Sequence, residues 1–65
     1  MLVVINGQSE AISETTLDEL CKRFHEEPTL IATAVNGQFV ALGERAALSL
    51  QEGDRIEILS PRQGG

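Results

Sequence analysis

Residues 31–42 read IATAVNGQFVAL, and the pair Asn36-Gly37 at their centre decides how the chain folds. Asparagine and glycine both accept positive φ, so between apolar runs they form a two-residue type I′ turn whose twist matches that of paired strands. A hairpin is expected here. In that register the strand period of two places Ala32, Ala34, Phe39 and Ala41 on one face and Val35 and Val40 on the other. Which face is covered is not written in the sequence. The same chemistry recurs upstream, where Asn6-Gly7 separates the β-branched run LVVI from the polar-apolar QSEAI. A first hairpin follows. The shared triplet NGQ is too short to mark an internal repeat, because a tight hairpin turn demands these residue types in both places.

Between the hairpins lies TLDELCKRFHEEP, residues 16–28. Leu17, Leu20, Cys21 and Phe24 stand at i, i+3, i+4 and i+7, one stripe of an amphipathic helix. Thr16 and Glu19 have capping-box spacing, Asp18 and Glu19 suit the positive end of the helix dipole, and Pro28 blocks continuation. The spacing predicts a helix from Leu17 to Glu26. Downstream, GERAALSL is expected to form a short helical turn, EGD a chain reversal, and RIEIL a half-buried strand that ends before Pro61. A helix this short is not stable alone and must lay its stripe on a sheet. The fold class is therefore α+β in two layers: a mixed, mostly antiparallel sheet of about five strands packed on one helix. The domain is expected over residues 1–60, with residues 61–65 as a flexible tail in solvent.

Size and composition agree with one small domain. The chain has 65 residues, 42% of them hydrophobic and 23% charged, and folding at this length hides only about 60% of the surface of the unfolded chain. The formal charge is −5, which repels phosphate backbones and anionic lipid, so neither nucleic acid nor membrane is an expected partner. The start MLVVI lacks the basic leader and small-residue cleavage site of a secretory signal, and a cytoplasmic location is expected.

The usual bearers of chemistry have simpler roles. One cysteine and one histidine can form neither an internal disulfide nor a Cys/His zinc site, and no metal is expected. Cys21 completes the apolar stripe and is read as core. His25 lacks a nucleophile or acid at meaningful spacing and is read as a solvated histidine. No phosphate-cradling, zincin or nucleophile-elbow motif is present. The chain is read as a non-enzyme that binds no cofactor itself.

What stands out is the end, SPRQGG. Glycines lack Cβ and accept any φ/ψ, so Gly64-Gly65 suits insertion into a narrow channel of another protein. A carboxylate is a poor electrophile and needs activation first, typically as an adenylate, so the activating partner must bind MgATP. Taken with VVINGQ, TLDELC, ATAVNGQFV and LQEGDRIEIL, in this order and at this length, the chain resembles the ubiquitin-like β-grasp sulfur carriers, and among them the ThiS family of thiamin biosynthesis.

The resemblance implies a β-grasp fold in which the first strand is central and runs parallel to RIEIL. It implies that the Gly65 carboxylate is adenylated by a ubiquitin-activating-type adenylyltransferase (ThiF-like) and converted to a thiocarboxylate. The sulfur comes from a donor such as a cysteine desulfurase and goes to thiazole synthase (ThiG-like). Arg62, Gln63, Gly64 and Gly65 would enter the partner's active site, and Phe39, Val40 and Ala34 are the candidate docking surface. Many relatives carry a Pro-Arg pair soon after the second hairpin; this chain reads VALGERAAL, and no partner contact is assigned to Arg45. Three other readings share parts of this pattern: a molybdopterin-synthase sulfur carrier, a ubiquitin-like modifier of lysines, and a non-catalytic β-grasp interaction module.

Overall fold

The structure, a computed structural model, describes residues 1–60; the tail expected at 61–65 lies outside the described residues. The elements are β1 (Leu2–Ile5), β2 (Gln8–Ala11), α1 (Leu17–Phe24), β3 (Ala32–Val35), β4 (Gln38–Val40) and β5 (Arg55–Leu59), with 3-10 turns at Pro28–Leu30 and Leu42–Ala47. Five strands form one sheet in the order β2-β1-β5-β3-β4. Both hairpins have the expected two-residue turns, pairing Ile5 with Gln8 and Val35 with Gln38. Asn6 and Asn36 lie at φ 50° and 53°, and Gly7 and Gly37 both at 85°, the left-handed pair that a type I′ turn requires. The pairing of β1 with β5 is parallel, as expected, and the remaining ladders are antiparallel. The middle place belongs to β5, with β1 beside it.

Helix α1 begins where the sequence places it and ends two residues early. Thr16 Oγ1 accepts from the Glu19 N–H at 3.3 Å. The reciprocal half of the cap is displaced by one residue, because Glu19 Oε1 accepts from the N–H of Thr15 at 3.1 Å. Thr16 stands opposite Ser49 in an isolated antiparallel bridge whose hydrogen bonds are made by its neighbours, Leu17 N–H to Leu48 O at 3.1 Å and Leu50 N–H to Thr15 O at 2.9 Å. That Thr15 bond is the main reason the Glu19 carboxyl lies below its ordinary pKa. At the other end His25 is extended, at φ −153°, so the helix stops at Phe24. The Glu27 N–H is then satisfied by His25 Nδ1 at 2.9 Å. Phe24, the last helical residue, is 41% exposed and does not complete the buried stripe as expected. Leu17, Leu20 and Cys21 are fully buried and pack in one core with Val3, Ile5, Ile31, Val40 and Ile56.

One charged side chain lies inside this fold. Arg45, on the second 3-10 turn, is 2% exposed. Its Nε donates to Thr33 Oγ1 at 3.2 Å, and its two terminal nitrogens donate to the carbonyls of Pro28 (2.8 Å) and Ile31 (2.6 Å). Thr33 Oγ1 in turn donates to the carbonyl of Val40 at 2.9 Å. The guanidinium thus fastens the segment after α1, strand β3 and strand β4 to one another. The planar fork of arginine reaches oxygens in several directions at once, which a lysine ammonium does less well. Among the described residues no helix is long and apolar enough to cross a membrane.

Removing the guanidinium leaves the Ile31 carbonyl without its donor and takes a second donor from the Pro28 carbonyl and one from Thr33 Oγ1, at a cost of roughly 2–4 kcal/mol. A domain of this size has on the order of 3–10 kcal/mol in total. Urea unfolding of Arg45→Ala is therefore expected to show loss of a large part of the stability, with Arg45→Lys in between; wild-type stability in Arg45→Ala would refute the role. For Glu19, a lowered folded-state pKa means that its contribution is fully present above the ordinary glutamate range and is lost as pH falls through the lowered value. Titration of the Glu19 side chain by NMR should show a midpoint below that of glutamate in a peptide.

Candidate functional site

With α1 covering one face of the sheet, the other face is open, and strand alternation decides what it presents. In β5, Ile56 and Ile58 turn toward the core while Arg55, Glu57 and Leu59 turn outward. In β3, Thr33 is buried, and Ala32 and Ala34 lie on the opposite face. Register then assembles a row: Ala34 stands opposite Phe39 on one side and Glu57 on the other, and Ala32 stands opposite Leu59. Phe39 is 72% and Leu59 66% exposed, the most exposed of the large apolar side chains. The two flank β3 diagonally, with two alanines as a low floor between them. Glu57 adds a carboxylate to this surface.

The candidate docking set of Phe39, Val40 and Ala34 is split by this arrangement. Phe39 and Ala34 share the open face. Val40 points the other way and is 8% exposed, inside the core. A residue between Phe39 and the end of a strand must alternate inward, and the buried Thr33 opposite it marks that face as the covered one. In place of Val40 the open face has Leu59, Ala32 and Glu57. Leu59 leaves a trace in the sequence: in RIEIL it occupies the outward phase otherwise held by Arg55 and Glu57. The exposed apolar face also runs to the root of the chain's end, since Leu59 is followed by Ser60 and then by PRQGG. Arg62, Gln63, Gly64 and Gly65 lie outside the described residues.

The remaining candidates are structural. The Cys21 thiol is fully buried, and desolvation raises its pKa, against a smaller lowering by the Arg45 charge. A buried thiol held protonated is a poor nucleophile. His25 is half-buried rather than freely solvated, and its Nδ1 is engaged by the Glu27 N–H. Among the described residues there is no group of three or more His, Cys, Asp or Glu side chains that could hold a metal ion.

The ThiS family model matches residues 3–65, from the first strand through the terminal diglycine. The chain belongs to the ThiS family. A crystal structure of a thiamine biosynthesis protein (ThiS) from Geobacter metallireducens is similar over 100% of both chains, with a TM-score of 0.83 at 20% sequence identity. At that identity the likeness carries the fold, which is the β-grasp. No curated protein matches the chain. Membership of the ThiS family supports a sulfur-carrier role in thiamin biosynthesis.

The two faces predict opposite responses to substitution. Phe39→Ser is expected to change unfolding free energy by no more than about 0.5 kcal/mol, whereas Val40→Ala should cost about 1–3 kcal/mol. Thermal unfolding of the two variants checks this; a reversed order would mean that the faces are wrongly assigned.

Proposed function

We propose that this ThiS-family chain carries sulfur as a thiocarboxylate on Gly65 and delivers it for thiazole formation. The observation that carries this reading is the family match through Gly65. The chemistry is then that of its own terminal carboxylate. A ubiquitin-activating-type adenylyltransferase with MgATP joins that carboxylate to AMP and releases pyrophosphate. A sulfur nucleophile attacks the activated carbonyl, and the carbon–oxygen bond to AMP breaks. A sulfide-level donor gives the thiocarboxylate directly. A persulfide donor, such as that on a cysteine desulfurase, gives an acyl disulfide to the donor cysteine, and a thiol must reduce its S–S bond to release the thiocarboxylate and the donor.

The benefit of the arrangement is that the nucleophilic sulfur stays tethered to a protein and is not released as free sulfide. Thiazole synthase is the proposed acceptor. The folded part of the chain acts as handle and address. Its open face, with Phe39 and Leu59 on either side of Ala32 and Ala34, is the proposed docking surface, because exposed aromatic and aliphatic side chains gain most from being covered by a partner. Gly64 and Gly65, without Cβ atoms, suit passage into the partner's active site, with Arg62 and Gln63 leading to them. The net charge of −5 favours partners that present a basic surface.

Incubation with the activating enzyme, MgATP and a sulfur donor should replace one oxygen by sulfur in the intact mass. An unchanged mass with an enzyme of proven competence overturns the carrier reading, and adducts on lysines of other proteins would favour a modifier instead. Deleting Gly65 is expected to abolish sulfur transfer and leave the melting temperature as it was. Full activity of the deletion variant would point to a plain interaction module.

A further inference from the structure

Strand β5 leads directly to the reactive end, so whatever holds its last residues sets where that end begins. The main-chain N–H and C=O groups of odd-numbered β5 residues are directed at β3, as in the bond from the Asn36 N–H to Arg55 O at 2.7 Å. Those of even-numbered residues are directed at β1. There the parallel ladder proceeds from the Val4 N–H, which donates to Asp54 O at 2.9 Å, to the Asn6 N–H, which donates to Ile56 O at 2.9 Å. In a regular parallel ladder the main-chain carbonyl of Asn6 would next accept from the Ile58 N–H. Asn6, however, lies at φ 50° to open the type I′ turn, and its carbonyl is no longer directed along the ladder. Its side chain supplies the rung instead: Asn6 Oδ1 accepts from the Ile58 N–H at 2.9 Å, and Asn6 Nδ2 donates to Ile58 O at 3.2 Å. One carboxamide thus stands in for a peptide unit.

We propose that Asn6 is a positioning residue for the activation step: its side-chain amide extends the β1–β5 ladder by one rung and fixes the root of the carrier's end. The proposal rests on the sulfur-carrier reading. Glycine would serve the turn equally well, because it accepts the same φ. The asparagine side chain is what glycine lacks. When the rung is present, Ile58, Leu59 and Ser60 are already ordered as the partner closes on the chain's end. When it is absent, that ordering must occur on binding. The effect falls on recognition and not on chemistry, since the partner itself holds the carboxylate once it has docked.

The test compares wild type with Asn6→Gly, which keeps the turn and removes both bonds, and with Asn6→Asp, which keeps the acceptor for Ile58 N–H and loses the donor. Gly53→Ala serves as a destabilised control, since Gly53 lies at φ 85° in the turn at the other end of β5. Amide exchange at Ile58 should be roughly tenfold faster in Asn6→Gly than in wild type, with Asn6→Asp between them. Pyrophosphate exchange by the activating enzyme from the source organism, with MgATP and the full chain, should show KM for the carrier raised about threefold or more at unchanged kcat. Gly53→Ala should keep the wild-type KM. Wild-type exchange at Ile58 in Asn6→Gly overturns the rung. Fast exchange with an unchanged KM, or an equal KM increase in Gly53→Ala, overturns the positioning role. If wild type itself supports no pyrophosphate exchange with a competent enzyme, the carrier reading fails, and the positioning role with it, whatever the amide measurement gives.

Discussion

The Arg45 guanidinium holds together parts of the chain that no ladder joins. Burying a cation is costly unless its donors are satisfied, and here three neutral oxygens do so from three directions: the start of the first 3-10 turn at Pro28, its cap at Ile31, and the Thr33 hydroxyl. Because Thr33 passes the network on to the Val40 carbonyl, the second hairpin is fixed against the segment that follows α1. That contact lies on the covered face of β3 and β4. With Thr33 and Val40 turned inward, Phe39 and Ala34 have to face out. The open face proposed to meet partner enzymes thus lies opposite the buried arginine.

The second organising feature is the central strand. Among the described residues β5 is the last strand and the middle one in the sheet, and its two neighbours, β1 and β3, come from separate hairpins. Both turn asparagines contribute to holding it. Asn6 bonds Ile58 near its end, and Asn36 accepts from the Arg55 N–H at 3.0 Å and donates to Asp54 at 3.0 Å near its beginning. Each asparagine thus supplies the left-handed backbone of a hairpin turn and a carboxamide to a strand distant in sequence.

Much of the architecture was readable from local signals. The NG pairs specified two hairpins and their registers, because few other residue pairs accept positive φ twice in succession. The stripe of Leu17, Leu20 and Cys21 specified the helix, and the alternation of RIEIL specified β5 to the residue. Phe24 was misread because periodicity alone does not show where a stripe outruns the core: the residue is helical, yet 41% exposed. Val40 was misplaced in the docking set for a different reason. Alternation separates two faces but carries no sign, and only the position of α1 and Arg45 tells inside from outside.

The sequence by itself determined the turns, the strand registers, the helix start and the terminal diglycine, all of which depend on residues close together along the chain. Tertiary structure alone decided that Arg45 is buried, that Leu59 joins Phe39 on one surface, and that Asn6 completes the ladder to Ile58. The physical reason is separation: Asn6 and Ile58 are 52 residues apart. Nothing in the sequence near either residue encodes the other's position. Such contacts form only after the hydrophobic core has brought β1 and β5 side by side.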